Sequence, residues 1–162
     1  MVDLYPGWIV QEATITYPVT DGSVLLIEKK RGVGAGLYNG PGGKVEAGES
    51  PREAARREVR EEIRVRVPAL SKFGELEFVF GGDHFMTVHV YRAPGVLGDP
   101  EETVEAKPRW VALDAVPYDR MWEDDRYWLP LLLAGRTFRG WFRFDGAGET
   151  LRGRFVEPDV TV

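Results

Sequence analysis

Apolar and polar residues alternate along much of the chain, a pattern typical of strands with one buried face. The pattern occurs at residues 13–19, 23–29, 73–80, 85–92, 137–144 and 150–156, with a shorter example at 108–113. Turn sequences separate consecutive segments at Thr20-Asp21-Gly22, Gly81-Gly82-Asp83 and Asp145-Gly146-Ala147-Gly148. We therefore predict three pairs of adjacent strands joined by tight turns.

Two segments have helical features instead. The first begins at Ser50, a residue suited to cap a helix, and continues with Pro51 at the first helical position and Glu53 where it completes a capping box. Apolar residues that would face inward follow at Ala54, Ala55 and Val59. We predict this helix over residues 50–63 and a second helix over residues 126–133.

The longer remaining segments have the composition of loops. Residues 31–43 are rich in glycine, and residues 94–107 are acidic. Strands and helices mixed in this order predict an α/β fold, with a mixed β-sheet flanked by helices on both faces. The length of 162 residues fits one domain, 1–162, with a sizeable core.

Charge and composition exclude several classes of function. The net charge of −5 argues against general binding to nucleic acids or membrane surfaces, so we expect no stable nucleic-acid partner. The absence of cysteine excludes disulfides and thiol nucleophiles, and two histidines make a histidine-based metal site unfavourable. No apolar run approaches the roughly 20 residues of a membrane span, and no signal peptide is visible. We expect a cytoplasmic protein without a membrane partner, and a monomer.

The first predicted helix carries an unusual set of acids. Glu58, Glu61 and Glu62 are spaced so that their carboxylates fall on one face. Like charges at this spacing repel one another, and a divalent cation would relieve the repulsion. The alternative is a solvated helix whose acids pair with its own arginines. We favour the metal hypothesis, because the alternative leaves the preceding glycines and Glu49 without a purpose.

The same stretch resembles the Nudix box, the signature of a hydrolase family. The matching residues are Gly43, Glu49, Arg57, Glu58, Val59, Glu61, Glu62 and Val65. Arg64 departs from the pattern, which has glycine there, a residue suited to a left-handed helix C-cap. A non-glycine residue at such a cap costs roughly 1 kcal/mol. The resemblance implies a Nudix α/β/α sandwich and hydrolysis of a nucleoside diphosphate linked to a further group.

The resemblance also implies roles for the residues of the box. Glu58, Glu61 and Glu62 would be catalytic and would hold Mg²⁺, or Mn²⁺ in its place, with the Gly42 carbonyl as a further ligand. The metal would lower the pKa of a water that attacks phosphorus, with an unprotonated Glu as base. For Glu49 and Arg57 we favour a structural ion pair over direct catalysis. Lys29 and Lys44 would touch phosphate, although a plain surface role suits each lysine nearly as well.

Segments outside the box narrow the substrate. Asn39 within the glycine-rich loop, the run Met121–Leu133 with its adjacent Asp124 and Asp125, and the aromatic strand 138–144 resemble a Nudix branch that acts on oxidised purine nucleoside triphosphates. The resemblance spans residues 14–160. It implies hydrolysis of 8-oxo-dGTP, and of 2-hydroxy-dATP as a second substrate, to the monophosphate and pyrophosphate.

Several pocket residues follow from this closer resemblance. Asn39, Asp124 and Asp125 would read the purine edge, and Trp122 would stack on the base. The remaining matches are Thr14, Lys29, Phe78, Phe80 and Met86 in the pocket and Glu105 near the metal. Two positions carry smaller side chains than expected, Val33 and Ala106, which predicts a looser pocket. We interpret Phe138, Phe142 and Phe144 as packing residues.

The adjacent aspartates have a physical rationale of their own. If both carboxyls are buried, desolvation and like charge raise their pKa values, so that one carboxyl donates a hydrogen bond while the other accepts. Such a pair would suit oxidised purines of more than one kind. The alternative is that Asp124 and Asp125 cap the second helix. We favour base recognition, although both roles are compatible.

Two other functions are compatible with the sequence. The Nudix chemistry could act on another substrate: an ordinary nucleotide, a nucleotide sugar, a dinucleoside polyphosphate or an RNA cap. A nucleotide sensor without turnover is less favoured, because every carboxylate of the box is present and no basic patch accompanies it.

Overall fold

The computed structural model describes residues 7, 9–146 and 150–162. In this part of the chain the strands are β1 (Ile9–Thr20), β2 (Ser23–Lys29), β3 (Tyr38–Asn39), β4 (Gly42–Lys44), β5 (Ser71–Phe80), β6 (His84–Ala93), β7 (Ala106–Ala112), β8 (Phe138–Asp145) and β9 (Thr150–Pro158). The helices are α1 (Pro51–Ile63) and α2 (Asp125–Leu133), with a short 3₁₀ helix at Tyr118–Arg120. No helix in the described ranges is both long and apolar enough to cross a membrane.

Strand β1 is the centre of a mixed sheet. It runs parallel to β6 along residues 9–18, and the same strand pairs antiparallel with β4 at residues 13–15 and with β2 at its end. The sheet order is β3-β2-β1-β6-β5-β8-β9, with β4 also on β1 and β7 also on β2. The sheet therefore brings the glycine-rich segment, in β3 and β4, next to its central strand.

The two helices cover opposite faces of this sheet. In β2, Val24 and Leu26 pack with α2 residues such as Trp128, whereas Leu25 and Ile27 pack with the Val59 side of α1. Side chains alternate across a strand, so one strand supplies both cores. The predicted α/β/α sandwich with a mixed sheet is confirmed.

Every predicted strand and helix is present among the described residues, but several bounds differ: β1 begins at residue 9 instead of 13, β5 at residue 71 instead of 73, and β9 ends at residue 158 instead of 156. We expected residues 31–43 to be an irregular loop, but β3 lies within this range and β4 begins there. Strands of two or three residues are too short to show alternation. Strand β7 begins two residues before the predicted start, and α2 begins one residue before. Ala147 and Gly148 of the last predicted turn lie outside the described residues.

Both ends of α1 show how its sequence sets its length. The Ser50 Oγ accepts a hydrogen bond from the Glu53 N–H at 3.1 Å, as the predicted cap requires, and Pro51 opens the helix. The helix ends at Ile63, and its C-cap residue Arg64 has φ 63° and ψ 27° and donates its N–H to the Arg60 carbonyl at 3.0 Å. The position at which the family motif has glycine is therefore left-handed here, although an arginine occupies it.

We expect Arg64→Gly to raise the free energy of unfolding by about 1 kcal/mol, because glycine adopts a positive φ without the steric cost of a Cβ atom. For a domain of this size that corresponds to a Tm increase of about 2–4 °C. Urea and thermal denaturation would measure the change. Arg60→Gly, on the exposed face of the helix interior, is the matched control and should lower stability by about 1 kcal/mol. A decrease for Arg64→Gly would contradict the interpretation.

An ion pair ties α1 to the loop that precedes it. The Arg57 guanidinium donates to both Glu49 oxygens, at 3.0 Å and 2.6 Å, and to the Lys44 carbonyl at 3.0 Å. Each of the two paired side chains is 15% exposed. The Arg57 hydrogen bonds lower the pKa of Glu49 from 4.5 to about 2. These contacts support the structural role that we favoured for the pair.

The pKa of Glu49 gives this brace a pH dependence. Because folding lowers the pKa, the stabilisation is complete above about pH 4.5 and is lost as the pH falls towards 2. We expect Glu49→Gln to unfold at lower urea concentration than the parent at pH 6, with a difference that narrows as the pH approaches 3. The control Glu77→Gln removes the same charge from an exposed position on β5. A pH-independent difference for Glu49→Gln would argue against the ion pair.

Candidate functional site

Two adjoining cavities lie where α1 meets the sheet. The first, of about 770 Å³, is acidic and lies between α1 and the segment at residues 101–105. The second, also of about 770 Å³, has mostly apolar walls formed by β1, β2, β5, β6 and the segments around Gly34 and Trp122. Glu62 and Glu105 line both cavities. A ligand with a charged part and an aromatic part would therefore fit across the two.

The acidic cavity gathers the three carboxylates of α1. Glu61 is the most exposed, whereas Glu58 lies close to the β4 backbone: a Cβ atom on Gly43 would lie 2.6 Å from its carboxyl carbon. Glu62 accepts a hydrogen bond from the Gly42 N–H at 3.4 Å. Burial, together with the neighbouring Glu58, raises the pKa of Glu62 to about 8. The raised pKa reflects the cost of ionising a second carboxyl in a buried position next to Glu58.

Arginines balance part of that charge. Arg57 donates to Glu58 at 2.8 Å and to Glu61 at 3.2 Å, and Arg31 pairs with Glu105. Among the described residues, no three His, Cys, Asp or Glu side chains already form a metal cage. The donor set nevertheless suits a hard divalent cation, because it consists of carboxylate oxygens, and a cation would relieve the repulsion from Glu58 that contributes to the raised pKa of Glu62.

The apolar cavity contains a set of nearly parallel aromatic rings. Phe78 and Phe80 stack with centroids 5.9 Å apart and an interplanar angle of 4°, and Phe144 lies 5.6 Å from Phe80 at 19°. Trp122 meets Phe144 edge-on at 6.4 Å. Gly34 packs directly on Trp122, since a Cβ atom there would lie 3.1 Å from the indole nitrogen. Phe144 thus lines the cavity as well as the core, which our interpretation as a packing residue missed.

The two aspartates lie buried at this cavity. Asp124 is 4% exposed and accepts a hydrogen bond from the Trp128 indole at 2.8 Å, while Asp125 is 3% exposed and the described residues provide no partner for its Oδ2. Burial raises the pKa of Asp124 to about 6, and burial with the charge of Asp124 raises the pKa of Asp125 well above the ordinary range. Asp124 is the N-cap of α2 but makes no side-chain cap hydrogen bond, so the capping alternative loses support.

The other predicted binding residues lie around the same cavity. Thr14, Lys29, Asn39 and Lys44 all line it, together with Gly42 and Met86. Lys29 lies close enough to Glu62 and Glu105 for its positive charge to favour the ionised form of both carboxyls, although it does not outweigh the burial that raises the pKa of Glu62. A basic group therefore lies where the two cavities meet. The sequence interpretation missed Tyr17, whose hydroxyl hydrogen-bonds Asn39 from behind the cavity wall at 3.2 Å.

Ala106 is one of the two positions where we expected a smaller side chain to loosen the pocket, but it does not contribute to the cavity wall. Ala106 is fully buried on the α1 side of the sheet, packed with Ile27 and Ala55, and does not line the cavity. Our expectation that Ala106 loosens the pocket is therefore wrong. Val33 does line the cavity and is 69% exposed, so it forms an open rim.

Comparison with known proteins agrees with this geometry. The model of the NUDIX domain matches residues 11–132. The oxidized purine nucleoside triphosphate hydrolase of Danio rerio is 46% identical over 134 residues, covering 82% of this chain and 86% of the relative. The protein of the same name from Mus musculus is 47% identical over 137 residues, covering 84% and 88%.

A solved structure shows the same fold. A MutT protein from Bacillus halodurans superimposes with a TM-score of 0.81 at 27% identity, covering 91% of this chain and 97% of that one. The family model spans most of β1, strands β2 to β7, the acidic helix α1 and the aspartate pair described above. The chain therefore belongs to the Nudix family of hydrolases.

Proposed function

We propose that this protein hydrolyses oxidised purine nucleoside triphosphates, with 8-oxo-dGTP as the main substrate, to the monophosphate and pyrophosphate. The observation that carries the proposal is the arrangement of the two cavities. An aromatic slot with two buried aspartates opens onto the acidic face of α1 across Glu62 and Glu105. The two oxidized purine nucleoside triphosphate hydrolases to which the chain is similar support the same conclusion.

The acidic cavity is where the triphosphate would be cut. Glu58, Glu61, Glu62 and Glu105, with the Gly42 carbonyl, are the residues that we assign to Mg²⁺ or Mn²⁺. A bound ion of this kind neutralises phosphate charge and lowers the pKa of a water. Lys29, at the junction of the cavities, would attract the phosphates, and Lys44 lies on the same wall. In the overall reaction one water adds across the bond between the α- and β-phosphates, which releases pyrophosphate.

The aspartate pair would select the base. Asp124 is held by the Trp128 indole and titrates near pH 6, whereas Asp125 stays protonated at higher pH and has one oxygen without a partner. One carboxyl can then accept a hydrogen bond while the other donates one. Oxidation of a purine changes its donors and acceptors, so a buried pair of this kind can distinguish it from the normal base.

We expect the purified protein with Mg²⁺ to hydrolyse 8-oxo-dGTP with a kcat/KM at least about tenfold above that for dGTP, because the unpaired carboxyl discriminates between the base edges. Pyrophosphate release would be measured over a panel that includes 2-hydroxy-dATP, dATP, a nucleotide sugar and a dinucleoside polyphosphate. Chelation of the metal should abolish turnover. Comparable rates on dGTP and 8-oxo-dGTP would overturn the substrate assignment and favour an ordinary nucleotide, for which the open rim at Val33 leaves room.

Asp125→Asn tests the base-recognition role directly. We expect kcat/KM for 8-oxo-dGTP to fall about 100-fold or more, because the amide cannot reproduce the carboxyl at a buried hydrogen-bonding site. The free energy of unfolding of this variant should not fall below that of the parent. Since folding raises the pKa of Asp125, its ionisation costs stability as the pH rises, and the asparagine removes that cost. The free energy of unfolding of the variant should therefore increase relative to that of the parent as the pH rises above about 4, the ordinary pKa of an aspartate.

Asp119→Asn provides the control for this experiment. Its side chain is fully exposed in the segment just before the pair, so it removes a charge without touching the cavity. Activity and unfolding should match the parent. If Asp125→Asn retained full activity with the same preference between 8-oxo-dGTP and dGTP, the aspartate would have no part in selection.

A further inference from the structure

Tyr17 is a polar residue of the core that belongs to no motif. It lies on β1 with 0% exposure, and its ring meets the Trp128 ring edge-on with centroids 5.9 Å apart. It does not line the apolar cavity but stands directly behind the wall that does. A phenylalanine would fill the same space, so the hydroxyl must have a partner to justify its burial.

That partner is Asn39, whose hydrogen bonds fix the orientation of its amide. The Asn39 Oδ1 accepts from the Tyr17 hydroxyl at 3.2 Å and from the Gly40 N–H at 3.0 Å. If the amide were rotated by half a turn, its NH₂ group would face a backbone N–H that can only donate. The described residues provide no partner for Nδ2, and Asn39 lines the cavity. The amide is therefore left with a free donor at the site.

Close packing around Gly40 holds the Tyr17 hydroxyl and the Asn39 amide within hydrogen-bonding distance. A Cβ atom on Gly40 would lie 2.8 Å from the Thr16 carbonyl and 2.9 Å from the Tyr17 ring. The backbone after Asn39 thus rests directly on β1 and on the tyrosine. Neither partner can shift without disturbing the central strand, so the hydrogen bond has a single geometry.

Tyr17 also stands between the two parts of the base site. Its ring packs on Trp128, which in turn holds Asp124 through the indole N–H. Burial raises the pKa of Tyr17 above its ordinary value, so the hydroxyl stays protonated and able to donate to Asn39. One buried side chain thus connects the amide and the carboxyls that face the ligand.

We propose that Tyr17 is a positioning residue for substrate selection: its hydroxyl holds the Asn39 carboxamide so that Nδ2 is presented to the base. The residue acts through Asn39 and does not touch the ligand. A purine with an acceptor at that point of its edge gains a hydrogen bond to a donor that is already oriented, whereas a base with a donor there meets a second donor. The proposal rests on the proposed function, since it concerns the base half of the same site.

A double-mutant cycle of Tyr17→Phe and Asn39→Ala tests this role. The substrate would be the purine nucleotide that the parent protein hydrolyses with the highest kcat/KM, so the cycle does not depend on which base that is. We expect Tyr17→Phe to raise KM about three- to tenfold, the effect of one oriented hydrogen bond, with kcat within twofold. In the Asn39→Ala background the same substitution should have no further effect on KM.

Tyr91→Phe is the matched control, because it removes a hydroxyl from another buried tyrosine, on the α1 side of the sheet. Its KM should equal that of the parent. Asn39→Asp provides a second measurement that leaves Tyr17 intact: the carboxylate still accepts from the tyrosine but has no donor for the base, so KM should rise at least as much as in Asn39→Ala.

Two results would overturn the proposal. One is an unchanged KM for Tyr17→Phe, or an equal increase in the Asn39→Ala background, which would make the tyrosine merely structural. The other is a normal KM for Asn39→Asp. The parent protein's own preference between 8-oxo-dGTP and dGTP decides the proposed function separately, so the two hypotheses can fail independently.

Discussion

The close contact between β4 and β1 is the constraint on which the rest of the site depends. A Cβ atom on Gly42 would lie 2.0 Å from the Thr14 carbonyl, and one on Gly43 would meet the Glu58 carboxyl. Only a backbone without side chains at these two positions can lie between the central strand and the acidic helix. This contact anchors the loop before α1, and the Arg57–Glu49 pair then fixes the helix against that loop. The carboxylates of α1 reach the edge of the aromatic slot for this reason.

Buried carboxyls occur in both halves of the site and differ in how they are balanced. Around α1, Arg57 pairs with Glu58 and Glu61, and Glu62 remains the group with a raised pKa. At the aromatic slot, one aspartate is held by an indole and the other has an oxygen without a partner among the described residues. Unpaired buried acids reduce stability, and proteins retain them mainly where they serve a ligand. In both halves, the carboxyls whose burial is unfavourable lie where phosphate and base would bind.

The sequence predicted the fold, and most of the residues that it singled out line one of the two cavities, for identifiable physical reasons. Alternation reveals strands of six or more residues, and the box revealed α1 with its cap at Ser50. Strands β3 and β4 were missed because their pairing depends on the tertiary packing of glycine rather than on local pattern. Ala106 was misplaced because strand parity decides which face a residue occupies, and its register against β2 was unknown. Tyr17 was missed because a single buried hydroxyl between apolar neighbours looks like ordinary core.

Glu62 and Glu105, which belong to the walls of both cavities, have a geometric consequence for the ligand. In the proposed binding mode the base would lie among the aromatic rings and the phosphates at the carboxylates of α1, so the distance between these two sets of residues would select ligands of matching length. A free base would occupy one half and inorganic phosphate the other, and neither would span the junction. Recognition of a complete nucleotide would therefore depend on the spacing between the aromatic rings and the α1 carboxylates, in addition to the contacts that each makes with base or phosphate.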